Sequence, residues 1–285
     1  MATWRTYLLL AALGLGVLVQ QAKAEQVQQA TVVPALQFQR SQPRRVAPFP
    51  LELNAAVRRY VDAYLAHSEG LKLCYERSQP YLSQMIALLE RRGVPSDLLY
   101  LAFAESAFSK TGAGPWQLTK RTARRFGLRI NHYLDERRDP IKSTRAAAEY
   151  LAELHDQVGD WRLTIVAWNT GEGELDRLVP DGSNYSRLLD GIPARTRALL
   201  NRFMAVAFIA RNAKAYGIEE TGFDRLQDDY KVIHARGSDT LSRVAAQVHT
   251  SVHTLRRLNP ALLTNRIPPG GYDLLVPGVT SMASY

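Results

Sequence analysis

Between Leu51 and Gly217 the apolar residues recur at helical spacing, segment after segment, and no stretch alternates with period two. That property excludes a sandwich, a barrel or a doubly wound sheet for this part of the chain, because strands show alternation or short apolar blocks instead. It predicts an all-α unit, and the punctuation agrees. Asn54 stands where it can cap a helix carrying Val57, Tyr60, Val61 and Leu65 on one face. Tyr81 to Leu89 forms another, closing at Gly93, and Pro95-Ser96-Asp97 opens the most apolar one, Leu98 to Phe108. Thr119 to Phe126 is short and basic, closed by Gly127; Asp139-Pro140 starts a longer helix with Ala147, Tyr150, Leu151, Leu154 and Val158, ending at Gly159. Asp160 caps Leu163 to Trp168, which Asn169-Thr170-Gly171 breaks. Pro193, suited to a first helical position, opens a last helix through Leu199, Phe203, Val206 and Phe208 to about Ala215.

After Asp224 the pattern changes. Tyr230 to His234 and Tyr272 to Val276 read as strands, with short helices at Thr240 to Val248 and Ser251 to Leu258 between them. The expected architecture is mainly α: an all-helical unit followed by a small β-α-α-β unit, with the boundary between Gly222 and Asp229. Ahead of both, Glu25 to Pro50 is rich in Gln and Pro and reads as an extended lead-in. Residues 1–24 read as a secretory signal, with Arg5 as the charged start, Tyr7 to Val19 as the apolar run and Ala22-Lys23-Ala24 as the cleavage site. That apolar run is short of the roughly 20 residues needed to span a bilayer, so no stable membrane anchor is expected.

Charge narrows the partner. The formal net charge is +9, and losing Arg5 and Lys23 with the leader leaves +7. The basic excess therefore belongs to the exported protein, and it favours an anionic partner. Export to a periplasm or cell envelope points away from nucleic acid and toward an acidic wall polymer. A single cysteine, Cys74, excludes an internal disulfide framework and a cysteine-based metal cage. No metal or other cofactor is expected.

Glu105 is the residue most in need of explanation. Leu98-Leu99-Tyr100-Leu101-Ala102-Phe103-Ala104 precedes it without a charge, and Ala107-Phe108 follows. An acid on so apolar a helix is paired, neutralised or facing a cleft. Burial and the negative end of the helix dipole both raise its pKa, which suits a general acid; a structural pair with one of the many arginines is the alternative. Gly112-Ala113-Gly114-Pro115-Trp116-Gln117 is a glycine-rich turn whose aromatic and amide suit sugar. Ala167-Trp168-Asn169-Thr170-Gly171 is a helix end.

Taken together, Glu105-Ser106, Gly114-x-Trp116-Gln117 and Ala167-Trp168-Asn169-x-Gly171, in that order on a helical frame, resemble the lytic transglycosylases of bacterial cell walls. The likeness is to the membrane-bound lytic transglycosylase D group, whose catalytic domain is lysozyme-related. It spans about Leu51 to Gly217 and includes Gly93 to Tyr100, Thr122 to Leu128 and Asp135 to Pro140. The C-terminal unit resembles a LysM module through Gly237-Ser238-Asp239-Thr240-Leu241, Leu258-Asn259 and Ile267-Pro268-Pro269-Gly270. The resemblance implies a catalytic domain over 51–221 and a glycan-binding module over 229–278.

By that likeness Glu105 is the acid that cleaves the β-1,4 bond between N-acetylmuramic acid and N-acetylglucosamine, then the base that closes a 1,6-anhydro ring. Ser106, Gln117, Trp168 and Asn169 are implied to orient the acid or hold the sugar. Glycan binding by the module is implied at Gly237, Ser238, Asp239, Thr240, Leu241 and Asn259. The chain departs from the family in three ways. The stretch between Glu105 and Gly114 is short, and Trp168 stands where the family usually has Tyr. Leu199 occupies the place of a Tyr on the last helix, for which Tyr185 is a conceivable substitute. The Leu199 departure keeps a second reading open, a non-catalytic peptidoglycan-binding protein on a degenerate fold. A hydrolytic lysozyme is a third reading, and the motifs offer no residue to hold its water.

Overall fold

A computed structural model describes residues 46–109, 112–171, 173, 191–216 and 230–278. The expected leader, most of the lead-in, the Gly222 to Asp229 boundary and Tyr185 lie outside the described residues. The first unit is helical: α1 (Ala55–Ala66), α2 (Ser68–Ser78), α3 (Leu82–Arg91), α4 (Leu99–Ser106), α5 (Lys120–Arg125), α6 (Pro140–Val158), α7 (Trp161–Thr170) and α8 (Ala194–Arg211). Local chemistry places most of the starts. Asn54 accepts the Ala56 and Val57 N–H groups at 3.0 and 2.9 Å, and Thr119, Asp139 and Asp160 do the same for α5, α6 and α7.

Three ends differ from the sequence reading. Helix α4 stops at Ser106 rather than Phe108, because Ala107 and Phe108 take left-handed φ values of 48° and 54°. Such a turn costs a non-glycine residue about 1–2 kcal/mol. It seats the Phe108 ring, 1% exposed, between Tyr81 and Phe103 at centroid distances of 6.4 and 5.7 Å. Pro193 is the N-cap of α8, with Ala194 the first helical residue. Asn169 and Thr170 continue α7, which closes at Gly171 with φ of 89°.

One apolar core joins these helices, with Met85, Leu89, Leu98, Leu101, Leu151 and Phe203 fully buried in it. Helix α4 lies between α3 and α8, and α8 also packs on α1 and α7, so α4 is enclosed along most of its length. The lead-in is tied to this frame: Phe49 sets its ring edge-on to Phe203 at 4.8 Å, and its backbone bonds Asp97 and Arg211, which also pair with each other at 2.7 Å. Cys74 is buried in the same core, and burial, only partly offset by Arg77, pushes its thiol up to about 12.

The second unit runs β1 (Tyr230–Ala235), α9 (Leu241–Gln247), α10 (Val252–Leu258) and β2 (Tyr272–Pro277). The strands pair antiparallel, Tyr230 opposite Pro277 and Ala235 opposite Tyr272. Thr240 and Ser251 cap the two helices. A two-stranded sheet is marginal alone, so the helices and a core of Leu241, Val244, Leu255, Ile267, Tyr272 and Leu274 must hold it. That core contains one residue from the first unit, Leu134, fully buried. Among the described residues no helix is long and apolar enough to cross a membrane.

Candidate active site

Glu105 occupies the last turn of α4, two residues before the left-handed break at Ala107. Leu101, Ala102 and Ala104 on the same helix are buried, whereas Glu105 itself is half-buried. The Trp168 indole N–H, from α7, donates to Glu105 Oε1 at 3.0 Å. Oε2 has no hydrogen-bond partner among the described residues, and no basic side chain among them lies within ion-pair distance of the carboxyl. Burial raises the Glu105 pKa, against lowering contributions from the Trp168 bond and from the charge of Arg202 on α8. Among the described residues, then, this acid makes no structural arginine pair.

The glycine turn is held against the acid by Ser106. Its hydroxyl reaches Pro115 O at 2.9 Å and Ala102 O at 3.2 Å, and accepts the Ser109 N–H at 3.2 Å. Ser106 thus ties helix to turn, and no bond joins it to Glu105 among the described residues. Trp116 is fully buried, its N–H donating to Thr144 on α6 at 2.8 Å, and its ring meets Trp168 edge-on at 5.9 Å. Tyr150 covers Trp168 at 5.4 Å. Gln117 is exposed with φ of 48°, its amide folded back onto Gly114 O at 2.6 Å. Gly114 has φ of 76°, and a Cβ there would lie 1.9 Å from Arg137 O, so only glycine fits.

Asn169, beside Trp168, accepts the Thr196 hydroxyl at 2.7 Å through Oδ1, while its Nδ2 has no partner among the described residues. Leu199 is 1% exposed and belongs to the core. Arg202, one turn further along α8, has a buried Nε with no partner among the described residues. Two features escaped the sequence reading: the Trp168–Glu105 bond, which spans 63 positions, and the charge of Arg202. A count from Leu199 by one helical turn would have found Arg202.

The residues assigned to glycan in the second unit fare unevenly. Gly237 and Ser238 are exposed. The Asp239 carboxylate accepts the Arg236 N–H at 3.0 Å, and Thr240 caps α9. Leu241 is fully buried. Asn259 is 6% exposed, and its amide is spent on Leu255 O, Leu275 O and Leu275 N–H, each at 2.8 Å. Neither Leu241 nor Asn259 offers a polar group to a sugar.

The class that fold and site define is a helical protein with one half-buried acid beside a glycine-rich turn, and a β-α-α-β unit docked behind it. Residues 85–185 match the model of the Transglycosylase SLT domain. The chain is 27% identical to "Membrane-bound lytic murein transglycosylase D" of Escherichia coli (strain K12) over 76% of its own length and 50% of that relative. It is 37% identical to "Peptidoglycan transglycosylase gp16" of Escherichia phage T7 over 35% of this chain and 9% of that protein. A protein of Alteromonas sp. (strain M-1), named for tributyltin chloride resistance, is 36% identical over 40% of this chain and 58% of its own. The chain thus spans about half the length of the first curated relative. The matched SLT segment falls within the helical unit and includes Glu105 and the glycine turn.

Proposed function

We propose that the chain is a peptidoglycan lytic transglycosylase, with 51–221 as the catalytic domain and 229–278 as a LysM-like glycan-binding domain, working in the periplasm or cell envelope. The supporting observation is the state of Glu105: an acid with a pKa raised by burial, one oxygen fixed by Trp168 and the other without a partner among the described residues. With Oε1 receiving the indole N–H, the acidic proton sits on Oε2, from which it passes to the bridging oxygen of the β-1,4 bond. The N-acetyl group of the muramyl sugar stabilises the positive carbon, so a second carboxylate is not required. Ionised Glu105 then takes the proton of the C6 hydroxyl, whose oxygen closes the 1,6-anhydro ring and returns the acid to its starting form. The Trp168 bond becomes charge-assisted once the proton has left, so it stabilises the intermediate more than the resting state. Asn169 Nδ2, with Oδ1 anchored by Thr196, and the Gln117 amide are the groups left to hold sugar.

The test is mass spectrometry of purified sacculi digested with the protein. Anhydromuramyl ends that disappear in Glu105→Gln support the reading; reducing ends instead identify a hydrolase. The second reading, a non-catalytic wall-binding protein, draws on Leu199, whose buried side chain gives no hydrogen bond where the resembled family has a Tyr. Binding to sacculi without any released product decides for it. For the second unit, Gly237 and Ser238, on an edge flanked by Pro268 and Pro269, are the residues proposed to meet glycan.

A further inference from the structure

The two units are not beads on a string. Leu134, in the loop between α5 and α6, is fully buried inside the core of the second unit. On either side of it the backbones pair: the Asp135 N–H donates to Ala261 O and the Leu263 N–H to Tyr133 O, both at 2.9 Å, an antiparallel bridge with Leu134 opposite Leu262. Tyr272 O–H donates to Asp139 at 2.9 Å, and the Lys142 ammonium lies 3.9 Å from the centre of the Tyr272 ring. Tyr81 O–H donates to Leu258 O at 3.0 Å from another side. Residues 261–263, just after the implied glycan contact Asn259, are thus committed to the helical unit.

The same loop reaches the glycine turn. Asp135 grips Arg137 by two bonds, at 3.0 and 2.6 Å. Arg137 in turn donates to Leu118 O at 3.1 Å and sets its own carbonyl into the space that Gly114 leaves empty. Arg138 donates to Gly112 O at 3.1 Å. Both ends of the glycine turn are therefore fastened to residues 135–138, and the turn is bonded through Pro115 to Ser106 and packed edge-on through Trp116 against Trp168, which holds Glu105.

We propose that the second unit is a brace for the catalytic turn: its docking on residues 133–139, centred on Leu134, positions Gly112 to Gln117 and through them the acid. Packing favours this over a passive contact. The buried leucine, the paired backbones and the Gly114 contact leave the turn no alternative seat without a vacancy, and vacancies in a dense interior are costly. The brace stands on geometry alone; only its catalytic consequence rests on the function proposed above.

Full-length Leu134→Asp sets an unpaired carboxylate in the apolar socket and is expected to undock the units, with Leu134→Ala as the milder variant should the second unit lose its sheet. Hydrogen exchange read by mass spectrometry supplies the controls. Faster amides at 133–136 and 261–263 report undocking, while slow amides at 230–235 and 272–277 report that the sheet persists. Amides of residues 112–118 are expected to exchange at least tenfold faster than in the parent. On soluble glycan strands the rate of anhydromuramyl release is expected to fall about tenfold with KM nearly unchanged. Undocking with parental exchange at 112–118 overturns the brace, and so does continued protection of 133–136 in both variants. A parent that releases no product defeats the proposed activity while leaving the exchange result to decide the brace.

Discussion

The turn at Gly112–Gln117 and the stretch from Asn259 to Leu263 each hold a residue that resembles a family's ligand contact, yet the protein uses them oppositely. Around the turn, polar capacity is left over: Glu105 Oε2 and Asn169 Nδ2 have no partners among the described residues, although each group is anchored by its other atom. In the later segment capacity is consumed, with the Asn259 amide filled by backbone and the Leu263 N–H given to Tyr133. A motif residue marks a site only when folding has not already used its bonds. This follows from the cost of burying unmet polar groups: those that stay unmet near the surface are kept for something else.

The sharpest way to break the contrast is Glu105→Gln. It is expected to lower product release by about 10²–10⁴-fold, the usual worth of a general acid, with sacculus binding intact; parental turnover in the variant removes Glu105 from the chemistry. Next is Gly114→Ala. Positive φ and the collision with Arg137 together cost about 2–5 kcal/mol in thermal or denaturant unfolding. Gly127→Ala, with φ of 78° but nothing within 4 Å, costs only about 1–2 kcal/mol, and equal losses at both positions mean the turn is not clamped. Asn259→Ala leaves buried backbone groups unpaired and is expected to cost about 1–3 kcal/mol of stability with no separate loss of glycan binding. Lost binding at unchanged stability places Asn259 back among the ligand contacts.

The smallest expected effect is the most diagnostic. In Trp168→Phe the donor that favours the carboxylate is gone, so the Glu105 pKa rises further and the acid stays protonated to higher pH. The alkaline limb of the kcat/KM profile should therefore move up in pH while kcat falls. A limb that moves down, or stays in place, separates Trp168 from the acid.

Much of the frame was legible because its signals are local. Asn54, Asp139 and Asp160 cap the helices that follow them, and the 3.6-residue period survives wherever one face meets the core. The early end of α4 was not legible: Ala107 and Phe108 resemble helix interior by composition, and only the Phe108 seat beside Tyr81 makes their left-handed turn worthwhile. For the site, the sequence pointed to Glu105 and Trp168 separately and gave Trp168 to the sugar. The structure gives its N–H to the acid, a partner that no spacing rule reaches across two intervening helices. The role of Leu134 was equally hidden, since a leucine in a loop carries no mark of whose core it will enter.

That leucine changes what counts as a portable part. Sequence places the seam at the stretch before Tyr230, and a genetic cut there looks clean. Yet a graft of residues 230–278 onto a foreign host is expected to arrive with an empty socket where Leu134 sat, and the donor left behind with a greasy peg in water. The natural cassette is discontinuous, and recombination that respects only the linker would pass on two damaged halves.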